Sequence, residues 1–276
     1  MFASVGARGK SSRKLDAGES AATDVILEAD DLAAVRAALV PVMADQQLDW
    51  CLQPVEGRRK RLLVADMDST IINVECLDEL ADFAGLKAEI SAITERAMRG
   101  ELPFEAALRE RVAMLKGLPI SALQDAYDER VRLNPGARTL VRTMAAHGAR
   151  CVLVSGGFNF FTVRVAAEAG FHADRANWLQ SAGGKLTGLV GEPILGREAK
   201  VRALEEEATA LGAPLSAALA VGDGANDLAM IGVAGLGVAY RAKPIVAAAA
   251  DARIDHGDLT ALLYFQGYEQ GDFVTD

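Results

Sequence analysis

Three stretches of the chain are apolar without alternation and end on polar residues: 61–66 (RLLVAD), 151–155 (CVLVS) and 216–223 (SAALAVGD). Unbroken apolar runs of this length suit strands covered on both faces of a parallel sheet. GLGVAY (235–240) and the short segment Arg253–Ile254 extend the series. Helical segments separate them: 136–147, a run to Gly170, 197–211 with its stop at Gly212, a short helix from Asn226 and another after Pro244. Residues 177–192 alternate weakly around Gly183-Gly184 and predict a hairpin. Strands alternating with helices predict an α/β fold built on a Rossmann-like, doubly wound parallel sheet.

Residues 75–132 break this alternation. Leu77, Leu80, Ala81 and Ala84 follow helical spacing, Phe104, Leu108 and Leu115 form a second stripe, and Gly100, Pro103, Gly117 and Pro119 divide the block. No strand candidate falls inside it, so it reads as an inserted helical cap. Upstream, Val25–Leu27 predicts a short strand, Asp31–Met43 a helix ended near Pro41, and Asp49–Pro54 another strand. This unit is too small for an independent core. Residues 1–20 carry Arg8, Lys10, Arg13 and Lys14 with no apolar stretch after them, which predicts a disordered tail rather than a secretory signal. The expected organisation is a tail (1–20), a small N-terminal α/β appendage (21–60), a catalytic core (61–74 and 134–276) and a helical cap (75–133).

Charge and cysteine usage narrow the partners. The 276 residues include 38 acidic and 29 basic side chains, a net charge of −9, and no basic patch lies beyond the first few residues. Such a chain repels nucleic acid. The longest charge-free run, 208–222, is broken by Gly212, Pro214 and Ser216 and is shorter than the ~18 apolar residues of a membrane helix. No nucleic acid and no membrane are therefore expected as partners. Cys51, Cys76 and Cys151 are odd in number and widely spaced, which suits a reducing cytoplasm. His147, His172 and His256 are scattered and form no zinc pattern with them. The stretch GKSS (9–12) misses the Walker pattern, because Ser4 stands where a glycine is needed and no strand precedes it.

The candidate chemistry lies where strands end. In open α/β sheets ligands bind beyond the carboxyl ends of the strands, and there the chain places Asp66-Met67-Asp68-Ser69-Thr70, Ser155-Gly156-Gly157 and Gly222-Asp223-Gly224-Ala225-Asn226-Asp227. Asp66, Asp68 and Asp223 offer the hard oxygens that Mg²⁺ prefers. Ser155 with the amides of Gly156 and Gly157, at an expected helix N-terminus, suits an anion. Lys200 stands near the start of its helix, where a cation opposes the helix dipole and calls for a functional reason. Together these groups could neutralise a phosphoryl group in transfer, with one carboxylate as nucleophile and another as proton donor. Each has a plainer reading alone: a turn or helix cap for the Asp66 segment, an N-cap for Asn226, a dipole partner for Asp227, a solvated charge for Lys200. Asp66–Thr70 does not open a calcium loop, since Ile71 occupies the place of the sharp-turn glycine. Their joint occurrence in this order favours function.

DMDST, SGG, a lone lysine and GDGAND in this sequence resemble the haloacid-dehalogenase superfamily of phosphotransferring enzymes. The likeness runs from about Arg61 to Leu262 and includes 94–117 (TERAMRGELPFEAALRERVAMLKG) and 235–244 (GLGVAYRAKP). Within the superfamily it is similar to the branch that hydrolyses L-phosphoserine to L-serine and phosphate, the last step of serine biosynthesis. The resemblance implies Mg²⁺ as cofactor, Asp66 as the nucleophile that becomes phosphorylated, and Asp68 as general acid and base. It implies Asp66, Asp223 and the Asp68 carbonyl as metal ligands, with Asp227 supporting them. Ser155, Gly156, Lys200 and Asn226 would bind phosphate. In the cap, Glu75 would meet the substrate ammonium, Arg111 its carboxylate, and Met98 and Phe104 would form an apolar lid. Arg111 lies on the apolar stripe of Phe104, Leu108 and Leu115, where a guanidinium needs a partner; a cap glutamate would serve as well as a substrate. Glu75 would serve as a first-turn acid, and Met98 and Phe104 as cap core, without any substrate. Two departures stand out. Residues 1–60 are short for the regulatory domain of the family's longer members, which leaves a homodimer and serine feedback open, and Arg241 replaces a histidine common in related bacterial chains. Phosphoryl transfer to another hydroxyl, hydrolysis of a different small phosphate ester, and silent binding of a phosphorylated ligand are the alternatives.

Overall fold

The computed structural model describes residues 6–16, 18, 22–44, 46–98 and 101–275, and of residues 95, 97 and 98 the backbone alone. The chain opens with β1 (Arg8–Lys14) and β2 (Thr23–Glu28), paired antiparallel. Residues 8–14 are thus a strand and not the disordered tail their composition predicts. The reason is pairing, since every residue of β1 is exposed and no apolar pattern marks it. Helix α1 (Leu32–Met43) follows, with the Asp31 carboxylate accepting from the amides of Ala33 and Ala34 at 2.9 and 3.0 Å. It runs two residues beyond Pro41. The strand predicted over 49–54 does not form. Instead the Asp49 carboxylate accepts from the amides of Asp255, His256 and Gly257, and only an isolated bridge joins Trp50 to Arg253.

Strand β3 (Leu62–Ala65) begins the main sheet. Its side chains alternate between two apolar clusters: Leu63 and Ala65 face one, Leu62 and Val64 the other. Both faces are covered, which is why the strand is apolar throughout. Helices α2 (Cys76–Phe83), α3 (Lys87–Met98), α4 (Phe104–Met114) and α5 (Ser121–Arg130) come next, and α6 (Ala137–Ala146) returns to the sheet. The chain leaves and re-enters through one antiparallel bridge, Ile72 to Leu133. Asn134 fastens this crossing, donating from Nδ2 to the carbonyls of Thr70 and Ile72 at 2.8 and 2.9 Å.

The rest alternates: β4 (Arg150–Phe158), α7 (Asn159–Ala169), β5 (Ala173–Asn177), the hairpin β6 (Leu179–Ala182) and β7 (Lys185–Val190), and α8 (Arg197–Ala210). Then come β8 (Ala218–Gly222), α9 (Leu228–Val233), β9 (Leu236–Tyr240), α10 (Pro244–Ala249), β10 (Ala252–Ile254) and α11 (Ala261–Phe265). The sheet has six parallel strands in the order β10-β9-β8-β3-β4-β5. Helices α6 and α7 pack on one face, α8 and α9 on the other. The doubly wound parallel sheet is therefore observed. Successive strands leave β3 towards β5 and then restart at β8 on its other side. That reversal opens a crevice at the carboxyl ends of β3 and β8, where Asp66 and Asp223 stand. Among the described residues no helix is long and apolar enough to cross a membrane.

Candidate active site

Asp66 follows β3 directly, and its amide extends the ladder to the carbonyl of Val221 at 3.0 Å. The chain then winds into a wide turn over Met67–Ile71, closed by the amide of Ile72 on the carbonyl of Met67, with Ser69 at φ 55°. Met67 and Ile71 are fully buried and anchor the turn. Oδ1 of Asp66 accepts from the amide of Met67 at 2.8 Å and lies 2.6 Å from Nζ of Lys200. Among the described residues no hydrogen bond falls on Oδ2.

Lys200, in the first turns of α8, is 2% exposed. Its ammonium touches Asp66 and Asp227, each at 2.6 Å. Burial alone would depress its pKa, but the carboxylates of Asp227 and Asp66 outweigh that and raise it, so the lysine stays charged. It is no solvated surface charge. Asp227 is fully buried, and its Oδ2 accepts from the amide of Gly224 at 3.1 Å. A Cβ on Gly222 would come within 2.4 Å of the Asp227 carboxyl carbon, so glycine there gives that side chain its room.

Asp223 follows β8 and accepts from the Thr70 hydroxyl at 3.2 Å. Asn226 lies in the same turn, half-buried. One carboxylate oxygen each of Asp66, Asp223 and Asp227 lies within 4.8 Å of the others. Burial, followed by Asp227, pushes the Asp66 carboxyl well above its ordinary range and that of Asp223 up to about 6. Those shifts mark a cluster with too little positive charge. Hard oxygen donors, close spacing and uncompensated negative charge fit a divalent cation. The Asp68 side chain is not in this group.

Asp68 instead joins two other elements. Its Oδ1 accepts from the amide of Cys76, at the start of α2, and its Oδ2 from the Ser155 hydroxyl, both at 2.9 Å. Ser155 is buried and accepts in turn from the amide of Gly157 at 2.8 Å. Contrary to the sequence expectation, Gly156 and Gly157 do not sit in a helix N-terminus. β4 continues to Phe158, and its pairing with β5 is irregular between Val154 and Phe158, so residues 155–157 bulge.

The α2–α5 helices close over this edge. The ring of Phe104 comes within 3.2 Å of where a Gly156 Cβ would stand and 3.5 Å of the Gly196 position. Glu75 accepts from the Ser69 hydroxyl at 2.7 Å. Solvent reaches Glu75, yet the cleft around it is crowded, and burial followed by the Asp68 charge raises its pKa to about 7. Arg111 is half-buried, donating to the carbonyl of Ala107 and the Thr94 hydroxyl at 3.2 and 3.4 Å. Burial lowers its pKa against the opposing fields of Asp78 and Glu75. Among the described residues no carboxylate lies within ion-pair distance of it. The Met98 side chain lies outside the described residues.

The sequence did not single out Thr70, Asn134 or Asn177, whose side chains hold the site loops together. Only their polarity beside strand ends could have marked them.

Residues 63–232 match the family model of haloacid dehalogenase-like hydrolases. A phosphoserine phosphatase from Polaromonas sp. is 49% identical over 208 residues, covering 74% of this chain and 88% of that protein. A haloacid-dehalogenase family hydrolase from Salmonella enterica superposes with a TM-score of 0.79 at 33% identity, covering 84% of this chain and 79% of its own. A substrate-bound phosphoserine phosphatase superposes with a TM-score of 0.70 at 39% identity, covering 75% and 98%. The chain belongs to the haloacid dehalogenase-like hydrolase family, among the phosphoserine phosphatases.

Proposed function

We propose that this protein hydrolyses L-phosphoserine to L-serine and phosphate in the cytoplasm, through a phosphoryl group carried on Asp66, with residues 75–133 serving as a cap over a core of 61–74 and 134–276. The observation that carries this reading is the state of Asp66. One oxygen is held by Lys200 and the Met67 amide, the other bears no hydrogen bond among the described residues, and Asp68 stands two residues on in contact with Ser155. A fixed carboxylate with one open oxygen is a nucleophile in waiting.

Oδ2 of Asp66 would form the bond to phosphorus as the bond to the serine oxygen breaks, and Asp68 would give that oxygen its proton. Water then attacks phosphorus, Asp68 takes its proton, and phosphate leaves with Asp66 restored. Lys200, the Ser155 hydroxyl and the bulged amides of Gly156 and Gly157 would meet the phosphoryl oxygens, with Asn226 beside them. The Ser155 hydroxyl must turn from Asp68 to do so, which frees Asp68 for its proton transfer. Mg²⁺, held by Asp66, Asp223 and the Asp68 carbonyl with Asp227 in support, would supply positive charge to the phosphoryl oxygens. Glu75 would bind the ammonium and Arg111 the carboxylate, while Phe104, with Met98, would exclude water from the first step.

The test is phosphate release from L-phosphoserine with Mg²⁺ and with EDTA, beside a panel of other phosphate esters. Release that needs Mg²⁺ and strongly favours phosphoserine is expected. Release from other esters alone would overturn the roles of Glu75 and Arg111.

A further inference from the structure

The bulge at 155–157 creates a problem that one side chain solves. Where β4 leaves its regular pairing with β5, backbone groups lose their ladder partners, and a buried carbonyl without a partner is costly. Asn177 ends β5, opposite Phe158, and is 1% exposed. Its Nδ2 donates to the carbonyl of Gly156 at 2.8 Å and to that of Leu195 at 3.2 Å, while its Oδ1 accepts from the amide of Leu195 at 2.6 Å. Leu195 directly precedes Gly196, the N-cap of α8, the helix that carries Lys200. One carboxamide therefore spans the two segments whose donors face the phosphoryl site.

The same side chain stands near the base of the β6–β7 hairpin, which runs from Leu179 to Val190, between Asn177 and Leu195 in the chain. The hairpin is bonded to the α4–α5 connection: the amides of Gly117 and Ile120 donate to the carbonyls of Leu186 and Gly184, and the amide of Leu186 to the carbonyl of Leu118. The α4–α5 connection is thus tied to the hairpin whose base Asn177 holds.

We infer that Asn177 is a positioning residue, whose carboxamide sets the separation between the Ser155–Gly157 bulge and the start of α8 and so places the loop amides and the Lys200 ammonium around one phosphoryl group. This rests on the phosphatase reading. Asn177 touches no reacting atom; it acts through Gly156 and Leu195. Aspartate there keeps the size and the acceptor for Leu195 but turns an oxygen towards two carbonyls. Serine removes the span without adding charge.

The test compares Asn177→Asp and Asn177→Ser with the wild type and with Val141→Ala, a core variant in α6 away from the site, chosen to match their loss of thermal stability. The readouts are kcat and KM for phosphoserine and for p-nitrophenyl phosphate, with inhibition by inorganic phosphate. A positioning role predicts that both Asn177 variants lose roughly 10- to 100-fold in kcat and bind inorganic phosphate correspondingly more weakly, while Val141→Ala keeps both near the wild type. Wild-type phosphate affinity and kcat in either Asn177 variant, or equal losses in Val141→Ala, would overturn it. If the wild type hydrolyses p-nitrophenyl phosphate but not phosphoserine, the substrate assignment fails while the phosphate inhibition still decides the role of Asn177. If both Asn177 variants fail to fold while Val141→Ala folds, the residue is structural and the proposal falls.

Discussion

On the proposed reading Glu75 and Arg111 decide substrate choice, and two substitutions test them separately. Arg111 donates to a carbonyl and a hydroxyl, and no carboxylate among the described residues lies within ion-pair distance of it. A substrate carboxylate would. Losing hydrogen bonds to a charged partner costs about 1.5–3 kcal/mol. Arg111→Ala should therefore lower kcat/KM for phosphoserine roughly 10- to 100-fold and spare esters that lack a carboxylate; equal loss on both would assign it a structural role. Burial, followed by the Asp68 charge, pushes the Glu75 carboxyl up from its ordinary 4.5 to about 7. A carboxyl raised in this way contributes stability that is full below its unfolded pKa and is lost as pH rises through its folded one. Glu75→Gln should thus raise the melting temperature at about pH 8 relative to the wild type, and do so much less at about pH 5. At the same time it should raise KM for phosphoserine. Melting curves of the cation-free protein at both pH values check the sign.

At the scale of elements, legibility followed burial on both faces. β3, β4 and β8 were plain in the sequence because covered strands are apolar throughout. β5 (ADRAN) was not: it is an edge strand, mostly half-buried, and carries Asp174 and Arg175. β1 has no buried position to betray it. The residues at strand ends were legible as candidates because carboxylates rarely follow buried strands without cause, while Asn177 and Thr70 carry no such signal. The bulge at 155–157 was hidden too, since it depends on register with a strand the pattern did not mark. A Cβ on Gly222 would press on Asp227 at 2.4 Å. Gly222→Ala should displace that carboxylate and raise the Mg²⁺ concentration for half-maximal phosphate release roughly 10- to 100-fold. An unchanged Mg²⁺ requirement would show that Asp227 has no part in holding the cation.

Across the whole molecule the apolar side chains fall into unequal bodies. The large clusters on the two sheet faces share strands β3, β4 and β8, whereas Ala7, Val35 and Leu39 form a small separate cluster at the N-terminal end. The hairpin β1–β2 is a two-stranded sheet with an exposed first strand. Two strands alone are marginal in water. Hydrogen exchange followed by mass spectrometry should therefore show the amides of β3 and β8 among the last to exchange and those of β1 among the first. Equal protection of β1 and β3 would mean that the N-terminal unit opens only with the core.

The site sits at the reversal of strand order because only there do β3 and β8 leave a crevice between them, and Asp66 occupies its floor. If Asp66 takes the phosphoryl group, quenching the turning-over enzyme with acid will trap it there. The tryptic peptide 62–87 should then carry one phosphoryl group, which fragmentation places on Asp66. Asp66→Asn should show none and turn over roughly 10⁴-fold more slowly or worse, with an unchanged circular dichroism spectrum. A phosphoryl group on another residue, or turnover retained in Asp66→Asn, would contradict the account.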